Sequence, residues 1–335
     1  MSTSEPSERI RVILLGLGSI GAPIARLLVE RKDYEIIGAI DTHPTKAGSD
    51  LGRVIGLRQE LGIIVSNEAK KVLALPADIV IHATSSSLAR VMPELQMIVR
   101  TGHNIISTCE ELADPWAGNP SLAEELDRLA KRMVVSVVAT GVNPGFAMDA
   151  WPLSLTAVCE LVNRVRVRRV VDASRRRMAL QKKIGTGLSP AAFAEAVAHG
   201  EVGHVGLPQS ASLIARGLGW QLDQIEEKVE PILATRRIVT DHFTVEPRFV
   251  TGLNQVVSGY RDQSESIRLE LQISVDVPES TDQAWIEGRP NLYSEIKGIH
   301  GDVSTAAIVV NTARRMNVLP SGLWTVRDLP LVSAW

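Results

Sequence analysis

The sequence predicts an α/β protein with two domains, a doubly wound parallel sheet followed by a second α+β domain with an open sheet. Two observations carry this prediction. Val- and Ile-rich runs alternate with amphipathic helical segments between residues 10 and 141, whereas later runs alternate apolar and polar residues. The length of 335 residues also exceeds one ordinary domain, so two domains are expected.

Six runs in the first half are predicted strands. Their near-continuous apolar content is typical of strands covered on both faces, and the helical segments between them favour a parallel sheet. The runs are "IRVILLG" (10–16), "YEIIGAID" (34–41), "GIIVS" (62–66), "ADIVIHATS" (77–85), "HNIIST" (103–108) and "MVVSVVATG" (133–141).

The second half predicts an open sheet with helices on one face. The run "IRLELQISVDV" (267–277) alternates strictly, which is the pattern of a strand with one solvent-exposed side. "VNRVRVRRVVD" (162–172) alternates more loosely, and helices are expected around 190–200 and 207–219.

The domain boundary is placed after "TGVNPGF" (140–146), where Gly and Pro follow the sixth run. We therefore expect a first domain over 1–145 and a second over 146–300. In the remaining segment, 301–335, an apolar stripe predicts a helix capped by Asp302, which would pack back on the first domain.

Composition narrows the function. A formal net charge of −2 and the absence of a basic run argue against nucleic acid or an anionic membrane as partner, and no run is long enough to span a bilayer. The polar start "MSTSEPSER" lacks a secretory signal, and only Cys109 and Cys159 are cysteines, so a cytoplasmic protein without a disulfide scaffold is expected. The seven histidines show no metal-ligand spacing, so no metal site is predicted.

A glycine-rich loop predicts dinucleotide binding. "LLGLGSIG" spaces Gly16, Gly18 and Gly21 directly after the first predicted strand and before a helix, with Ser19 and Ile20 inside the loop. This spacing permits a tight turn, a close approach of the pyrophosphate, and contact between helix and strand. The alternative is a tight turn alone.

An acidic residue predicts the cofactor. Asp41 ends the second run, twenty residues after Gly21, where its carboxylate would bind the ribose hydroxyls of the adenosine. An anion there repels a 2′-phosphate, which favours NAD, although Thr42, His43 and Lys46 are near enough in sequence that NADP stays possible.

Two further segments lie at predicted strand ends. Thr84, Ser85 and Ser86 in "HATSSS" are expected to line the nicotinamide half of the cofactor, with a helix N-cap as the alternative. Asn143 and Pro144 in "GVNPGF" are expected at the carboxamide end of the cofactor, with a plain tight turn as the alternative.

Adjacent acids follow the fifth run, in "NIISTCEELADPW" (104–116). Asn119 and Pro120 signal the start of the next helix, so Glu110 and Glu111 are expected in a loop over 109–118, with one of them facing the pocket. The alternative is that they stabilise the first turn of a helix. Thr108 and Cys109 are expected beside the cofactor, with the Cys109 thiol buried and inert.

The chain resembles the family of 2,4-diaminopentanoate dehydrogenases and native amine dehydrogenases, itself related to dihydrodipicolinate reductases. The resemblance lies in "GLGSIG", "DTHPTKAGSDLG", "ISTCEEL", "GVNPGFAMD", "RRRMALQKKIGTGLS", "GHVGLPQSASLIARGLGW", "KGIHGDVSTAAIVVN" and "PSGLWTVRDLP". It implies that 1–145 is an NAD(P)-binding Rossmann domain and that 146–300 is a substrate-binding and dimerisation domain of a homodimer. It also implies NAD(P)-dependent interconversion of an amine with a ketone or aldehyde plus ammonia.

The resemblance also implies site residues. A glutamate of the "EE" pair is the catalytic group, carried first onto Glu110 and then onto Glu111. Phe146 and Trp151 are placed beside the substrate, and His204 and His300 lie in family-like segments as substrate-binding candidates.

The alternatives left open are three: a 2,4-diaminopentanoate dehydrogenase proper, a reductase of cyclic imines or dihydrodipicolinate-type substrates, and a non-catalytic NAD-binding regulatory protein. The chain lacks the adjacent histidines of dihydrodipicolinate reductases, which weighs against their substrate.

Overall fold

A computed structural model describes residues 9–334, which form two compact units. The first unit contains the described residues up to Gly145 and those from His300 onward, and the second contains Phe146–Ile299. The N-terminal residues on which the cytoplasmic prediction partly rests lie outside the described residues.

The first unit begins with six strands and six helices, which alternate except that α5 and α6 both lie between β5 and β6. They are β1 (Ile10–Leu15), α1 (Gly21–Glu30), β2 (Tyr34–Ile40), α2 (Leu51–Val54), β3 (Val65–Ser66), α3 (Ala69–Val72), β4 (Ile79–His82), α4 (Leu88–Arg100), β5 (Asn104–Ser107), α5 (Pro115–Gly118), α6 (Pro120–Met133) and β6 (Ser136–Ala139). A 3₁₀ turn over Glu110–Leu112 precedes α5.

The second unit is a mixed six-stranded sheet in the order β14-β13-β7-β12-β11-β8, with a separate two-stranded ribbon, β9 and β10. Only the β7–β12 pairing in the larger sheet is parallel. The elements are α7 (Ala150–Leu155), β7 (Leu161–Asp172), α8 (Met178–Lys183), α9 (Pro190–Ala198), α10 (Leu207–Gly217), β8 (Gln224–Leu233), β9 (Ile238–Val239), β10 (Thr244–Val245), β11 (Val250–Arg261), β12 (Ser264–Ser274), β13 (Thr281–Arg289) and β14 (Leu292–Lys297).

The chain then returns to the first unit with α11 (Gly301–Met316) and β15 (Gly322–Trp324). The parallel sheet therefore has seven strands in the order β15-β6-β5-β4-β1-β2-β3. The predicted parallel sheet and the returning helix are confirmed, but the seventh strand was missed because three residues show no periodicity. The predicted Asp302 cap is wrong, since His300 is the N-cap residue of α11 and Asp302 lies in its first turn.

Two apolar layers cover the parallel sheet. Ile13, Val80, Ile105 and Val137 point to the layer formed with α4 and α6. The neighbouring residues in these strands point to the opposite face and pack with α1 and α11. They include Leu14, Ile79, Ile81, Ile106 and Val138. Side chains on both faces of β1, β4, β5 and β6 are therefore buried, which explains why these runs are continuously apolar.

The second sheet has one covered and one open face. In β7, Val165 and Val167 are buried, while the intervening arginines Arg164, Arg166 and Arg168 lie on the other face and are partly exposed. In β12 the predicted alternation is confirmed, but the strand ends at Ser274, before Val277. No helix among residues 9–334 combines the length and apolarity needed to cross a bilayer.

Candidate active site

The glycine loop joins β1 to α1 in a conformation that needs glycine. Gly16 has a φ of +91°, and a Cβ atom there would lie 2.4 Å from the carbonyl oxygen of Ala83. A Cβ atom at Gly21 would lie 1.9 Å from the carbonyl oxygen of Gly16. These two positions therefore fix the turn and the contact of α1 with the loop, as the spacing predicts.

Gly18 differs from its neighbours because a Cβ atom there would meet nothing within 4 Å. The residue is exposed at the N-terminal end of the ten-residue helix α1. Free N–H groups and positive partial charge at such an end favour phosphate. The loop, with Ser19 and Ile20 inside it, thus fits the pyrophosphate of a dinucleotide.

Asp41 follows β2 and is held by three donors. Its carboxylate accepts hydrogen bonds from the backbone N–H groups of Leu17 and His43, both at 2.9 Å, and from Lys46 Nζ at 2.8 Å. Burial alone would raise the pKa of Asp41, but the bonds from Lys46, His43 and Leu17 keep it below its ordinary value. Asp41 is therefore an anion whose charge is partly balanced by Lys46.

Loops after β4 and β5 meet at the same edge of the sheet, since the two strands pair in parallel. Thr84, Ser85 and Ser86 lie in the first loop, partly or fully exposed. Ser87 is the N-cap residue of α4, yet its side chain makes no capping hydrogen bond. The N-cap alternative therefore does not account for the serines, and their contact with the cofactor stays a prediction.

Glu111 supplies the acceptor that Ser87 does not. Its Oε2 accepts a hydrogen bond of 2.7 Å from the backbone N–H of Leu88, the first residue of α4. Its own N–H donates to the carbonyl of Ser86 at 3.2 Å. Helix electrostatics, considered for both acids, thus accounts for Glu111, although the helix is α4 and not the one that follows in sequence.

Glu110 opens the 3₁₀ turn and is partly buried. The predicted loop over 109–118 is wrong in detail, because it contains this turn and the short helix α5, and the two acids are not in extended chain. The predicted start of α6 after Asn119 is confirmed. The turn, and not an extended chain, therefore sets the directions of the two adjacent side chains.

Cys109 is buried, as predicted, with 1% of its surface exposed. Its thiol donates a hydrogen bond of 3.2 Å to the Ser86 carbonyl. Burial raises the pKa of the Cys109 thiol to about 12, so it is neutral at physiological pH. Thr108 before it is partly exposed, and its N–H donates to the carbonyl of His82 at 2.9 Å.

His82 and Glu94 form a polar cluster that the sequence did not reveal. His82, fully buried at the end of β4, lies 2.9 Å from Ser107 Oγ through Nδ1 and 2.8 Å from Glu94 Oε2 through Nε2. Thr84 donates to the same Glu94 oxygen at 2.7 Å. The only sequence signal was a histidine inside an apolar run.

Asn143 and Pro144 are joined by a cis peptide bond. Gly145 follows with a φ of +124°, and a Cβ atom there would lie 2.5 Å from the Gly141 nitrogen. The segment is thus a tight turn, as one alternative held, while its contact with a carboxamide stays a prediction.

In the second unit, Phe146 is partly buried and Trp151 is 8% exposed at the start of α7. Asp149, the N-cap residue of α7, is fully buried, and its carboxylate accepts hydrogen bonds from the Ala150 N–H at 2.6 Å and from Ser210 Oγ at 2.7 Å. This fastens the start of α7 to α10 and fixes where Trp151 lies.

His204 is held through its backbone. The buried amide of Gln255 accepts from the His204 N–H at 2.8 Å and donates to its carbonyl at 2.7 Å. The His204 side chain stays a substrate-binding candidate. His300, in contrast, is exposed in the first unit, and its Nδ1 faces the Val303 N–H at 3.5 Å as the cap of α11.

Within residues 9–334 no group of three or more His, Cys, Asp or Glu side chains is arranged to hold a metal ion. Arg169 and Asp282 are buried and paired in the second unit, where the guanidinium also donates to the Ile299 carbonyl at 3.3 Å.

Comparison with known proteins gives the chain its family. Residues 146–335 match the model of the 2,4-diaminopentanoate dehydrogenase C-terminal domain, and residues 10–110 match that of the dihydrodipicolinate reductase N-terminus. The 2,4-diaminopentanoate dehydrogenase of Acetoanaerobium sticklandii is 30% identical over 98% of this chain and 95% of that protein.

Solved structures agree on the fold. The amine dehydrogenase from Mycobacterium smegmatis superposes with a TM-score of 0.87 at 24% identity, covering 98% of both chains. GenD2 from gentamicin A biosynthesis, in complex with NAD, gives a TM-score of 0.51 at 16% identity, covering 88% of this chain and 74% of its own. The fold is therefore that of an NAD(P)-binding dehydrogenase, and the chain belongs to the 2,4-diaminopentanoate dehydrogenase family, as an oxidoreductase that acts on amine groups.

Proposed function

We propose that the protein is an NAD(P)H-dependent amine dehydrogenase, which aminates a ketone or aldehyde with ammonia and deaminates a primary amine in reverse, with Glu110 as its acid/base. One observation carries the proposal. Glu111 is bound to the N–H of Leu88, whereas Glu110 opens the turn that follows β5, at the sheet edge that also bears the glycine loop.

The proposed cofactor contacts belong to the first unit. The loop containing Gly18 and the N-terminal end of α1 bind the pyrophosphate, and Asp41 accepts hydrogen bonds from the adenosine ribose. Its Oδ1 receives the N–H of His43, and a carboxylate oxygen has room for a second donor. NAD is the preferred cofactor, and Lys46 permits NADP. Thr84, Ser85, Ser86 and Thr108 line the nicotinamide half.

The proposed reductive amination requires one carboxylate. Ammonia adds to the carbonyl carbon to give a carbinolamine, which loses water to give an iminium ion. The reduced dinucleotide, when bound, supplies a hydride to the iminium carbon. Glu110 orients ammonia, gives a proton to the departing hydroxyl, and as a carboxylate stabilises the cationic nitrogen.

The neutral thiol of Cys109 is consistent with this assignment. Reductive amination needs no covalent bond between enzyme and substrate, and a thiol with a pKa of about 12 is a poor nucleophile. Phe146, Trp151 and His204 are proposed to contact the substrate. The first two supply apolar surface, which suits an alkyl or aryl carbonyl compound.

The test follows NADH absorbance with a panel of ketones and aldehydes in concentrated ammonium at alkaline pH. We expect ammonia-dependent oxidation of NADH, and NAD reduction by the matching amines, with 2,4-diaminopentanoate included among them. No turnover across the panel, while NADH binding is seen by fluorescence, contradicts the proposal and favours a regulatory protein. Turnover of cyclic imines without ammonia favours an imine reductase.

We also propose a homodimer formed through the open face of the second sheet. Arg164 lies 3.6 Å from Glu287, and Arg168 lies 3.5 Å from Glu270, so both signs of charge are interspersed. A groove of about 360 Å³ on this face is lined by Arg166, Trp285, Ile286, Glu287, Asn291, Leu292 and Tyr293. Mixed charge with exposed aromatic surface suits a self-complementary interface.

Light scattering after size exclusion tests the dimer. The wild type is expected at twice the chain mass, and Trp285→Glu is expected to shift it toward the monomer. A monomeric wild type contradicts the proposal.

We place the enzyme in the cytoplasm, which is consistent with the free thiols of Cys109 and Cys159.

A further inference from the structure

His82 is a buried titratable group that the proposed chemistry does not employ. None of its surface is exposed, and it ends β4, directly below the loop that carries Thr84. Buried histidines are usually fully hydrogen-bonded, and this one has a partner on each ring nitrogen. Two of its partners belong to different elements, Ser107 to β5 and Glu94 to α4, and Thr84 Oγ1 in the loop after β4 also lies 2.8 Å from Nε2.

The hydrogen bonds of the His82 ring favour one arrangement of protons. Ser107 Oγ accepts the backbone N–H of Cys109 at 3.1 Å. A carboxylate only accepts, so His82 donates to Glu94 through Nε2 at 2.8 Å; the other nitrogen of a neutral imidazole is an acceptor, so the Ser107 hydroxyl donates to Nδ1 at 2.9 Å. His82 lowers the pKa of Glu94 from its ordinary value, so the acceptor is an anion.

The result is a continuous chain of contacts from α4 to the turn that bears the acids. It runs from Glu94 through His82 and Ser107 to the backbone of Cys109, the residue before Glu110. On the other side, the Cys109 thiol and the Glu111 N–H both donate to the Ser86 carbonyl. Cys109, at the start of the turn, is therefore held both by Ser107 at the end of β5 and by the Ser86 carbonyl in the loop after β4.

We propose that His82 is a positioning residue for amine dehydrogenation: it orients the Ser107 hydroxyl, which holds the Cys109 N–H and so fixes how the chain presents Glu110. Glu94 in turn holds the imidazole. This inference rests on the proposed function for its kinetic consequence, but its structural part concerns the Cys109 amide alone. A displacement of about 1 Å in a catalytic group costs on the order of 10²-fold in rate.

Two amide substitutions separate the two halves of the imidazole. The side-chain oxygen of His82→Asn can replace Nδ1 as acceptor for Ser107 but cannot reach Glu94. The longer side chain of His82→Gln can replace Nε2 toward Glu94 but leaves the Ser107 hydroxyl without its acceptor. Both variants lose the ring and its packing, so each is the control for the other.

We expect kcat for reductive amination to fall about 100-fold in His82→Gln and less than about fivefold in His82→Asn. The KM for the carbonyl compound and the Kd of NADH should stay within about threefold of wild type in both. Hydrogen exchange, followed by mass spectrometry on peptides covering residues 105–113, should show lost protection at the Cys109 amide in His82→Gln but not in His82→Asn. Ser107→Ala should match His82→Gln in both measurements. It is the variant to use if the histidine variants do not fold.

Equal kcat losses that follow the melting temperatures of the two variants would overturn the proposal, since that is the behaviour of a packing residue. Unchanged protection of the Cys109 amide in both His82→Gln and Ser107→Ala would overturn it as well. A wild type that binds NADH without aminating any carbonyl compound refutes the proposed function instead, and the exchange measurement alone then decides the positioning role.

Discussion

The carboxylate of Glu111 accepts a hydrogen bond of 2.7 Å from the backbone N–H of Leu88. This bond places an anion at the N-terminal end of α4, where the helix dipole favours negative charge. It also connects the turn after β5 to the loop after β4. Glu110, one residue earlier, opens the 3₁₀ turn and is the proposed acid/base. The two acids should therefore respond differently to the same substitution.

Glu110→Gln is expected to keep the Kd of NADH within about threefold and to lose at least about 10²-fold in kcat, because an amide neither transfers the proton nor balances the iminium charge. In Glu111→Gln the amide oxygen can still accept from Leu88, so kcat should fall less than about fivefold. Steady-state kinetics with ammonium and a responsive ketone measure both. The opposite order would move the catalytic assignment to Glu111.

Gly18→Ala should weaken NADH binding without affecting folding, since a Cβ atom there meets no protein atom within 4 Å. We expect the Kd of NADH to rise about tenfold at an unchanged melting temperature. Gly21→Ala is the matched variant, and its Cβ atom would lie 1.9 Å from the Gly16 carbonyl oxygen. It should destabilise the fold by about 1–3 kcal/mol. Calorimetry and NADH fluorescence separate the two effects.

Lys46→Ala should sharpen the preference for NADH. The ammonium lies 2.8 Å from Asp41 Oδ2, and its removal leaves the carboxylate unbalanced where a 2′-phosphate would approach. We expect the KM for NADPH to rise about tenfold, equivalent to ~1.4 kcal/mol, with little change for NADH. Lys70→Ala, on the exposed side of α3, is the control. An equal loss with both cofactors would contradict this role for Lys46.

Cys109 should resist alkylation in the native protein. With a pKa of about 12 it is deprotonated in only about one molecule in ten thousand at pH 8, and it is 1% exposed. Iodoacetamide followed by intact-mass analysis should therefore leave Cys109 unmodified in the folded protein and modify both cysteines in guanidinium. Rapid native modification mapped to Cys109 would show that the turn opens readily.

The parts of this molecule that were predicted from the sequence depend on local spacing. The glycine loop, Asp41 and the start of α6 at Asn119 each fit a pattern within a few residues, because turns, caps and helix ends are set by neighbouring dihedral angles. The alternation in β12 likewise follows from one sheet having a covered and an open face.

The missed features depend on pairing at a distance. The His82–Glu94 contact joins residues twelve positions apart, and Glu111 binds a helix that begins twenty-three residues earlier. Neither contact leaves a local pattern, since one glutamate on a helix resembles any other. β15 was missed for the same reason, because its three residues become a strand only by pairing with β6.

The return of α11 and β15 to the first sheet has a consequence for how the chain is made. Val309, Val310 and Ala313 are buried in the layer against β1, β4 and α1. When translation has reached only Gly145, the glycine loop has been synthesised, but α11, which covers this face of the parallel sheet, has not. The nucleotide-binding half can therefore complete its fold only after all of Phe146–Ile299 has been synthesised.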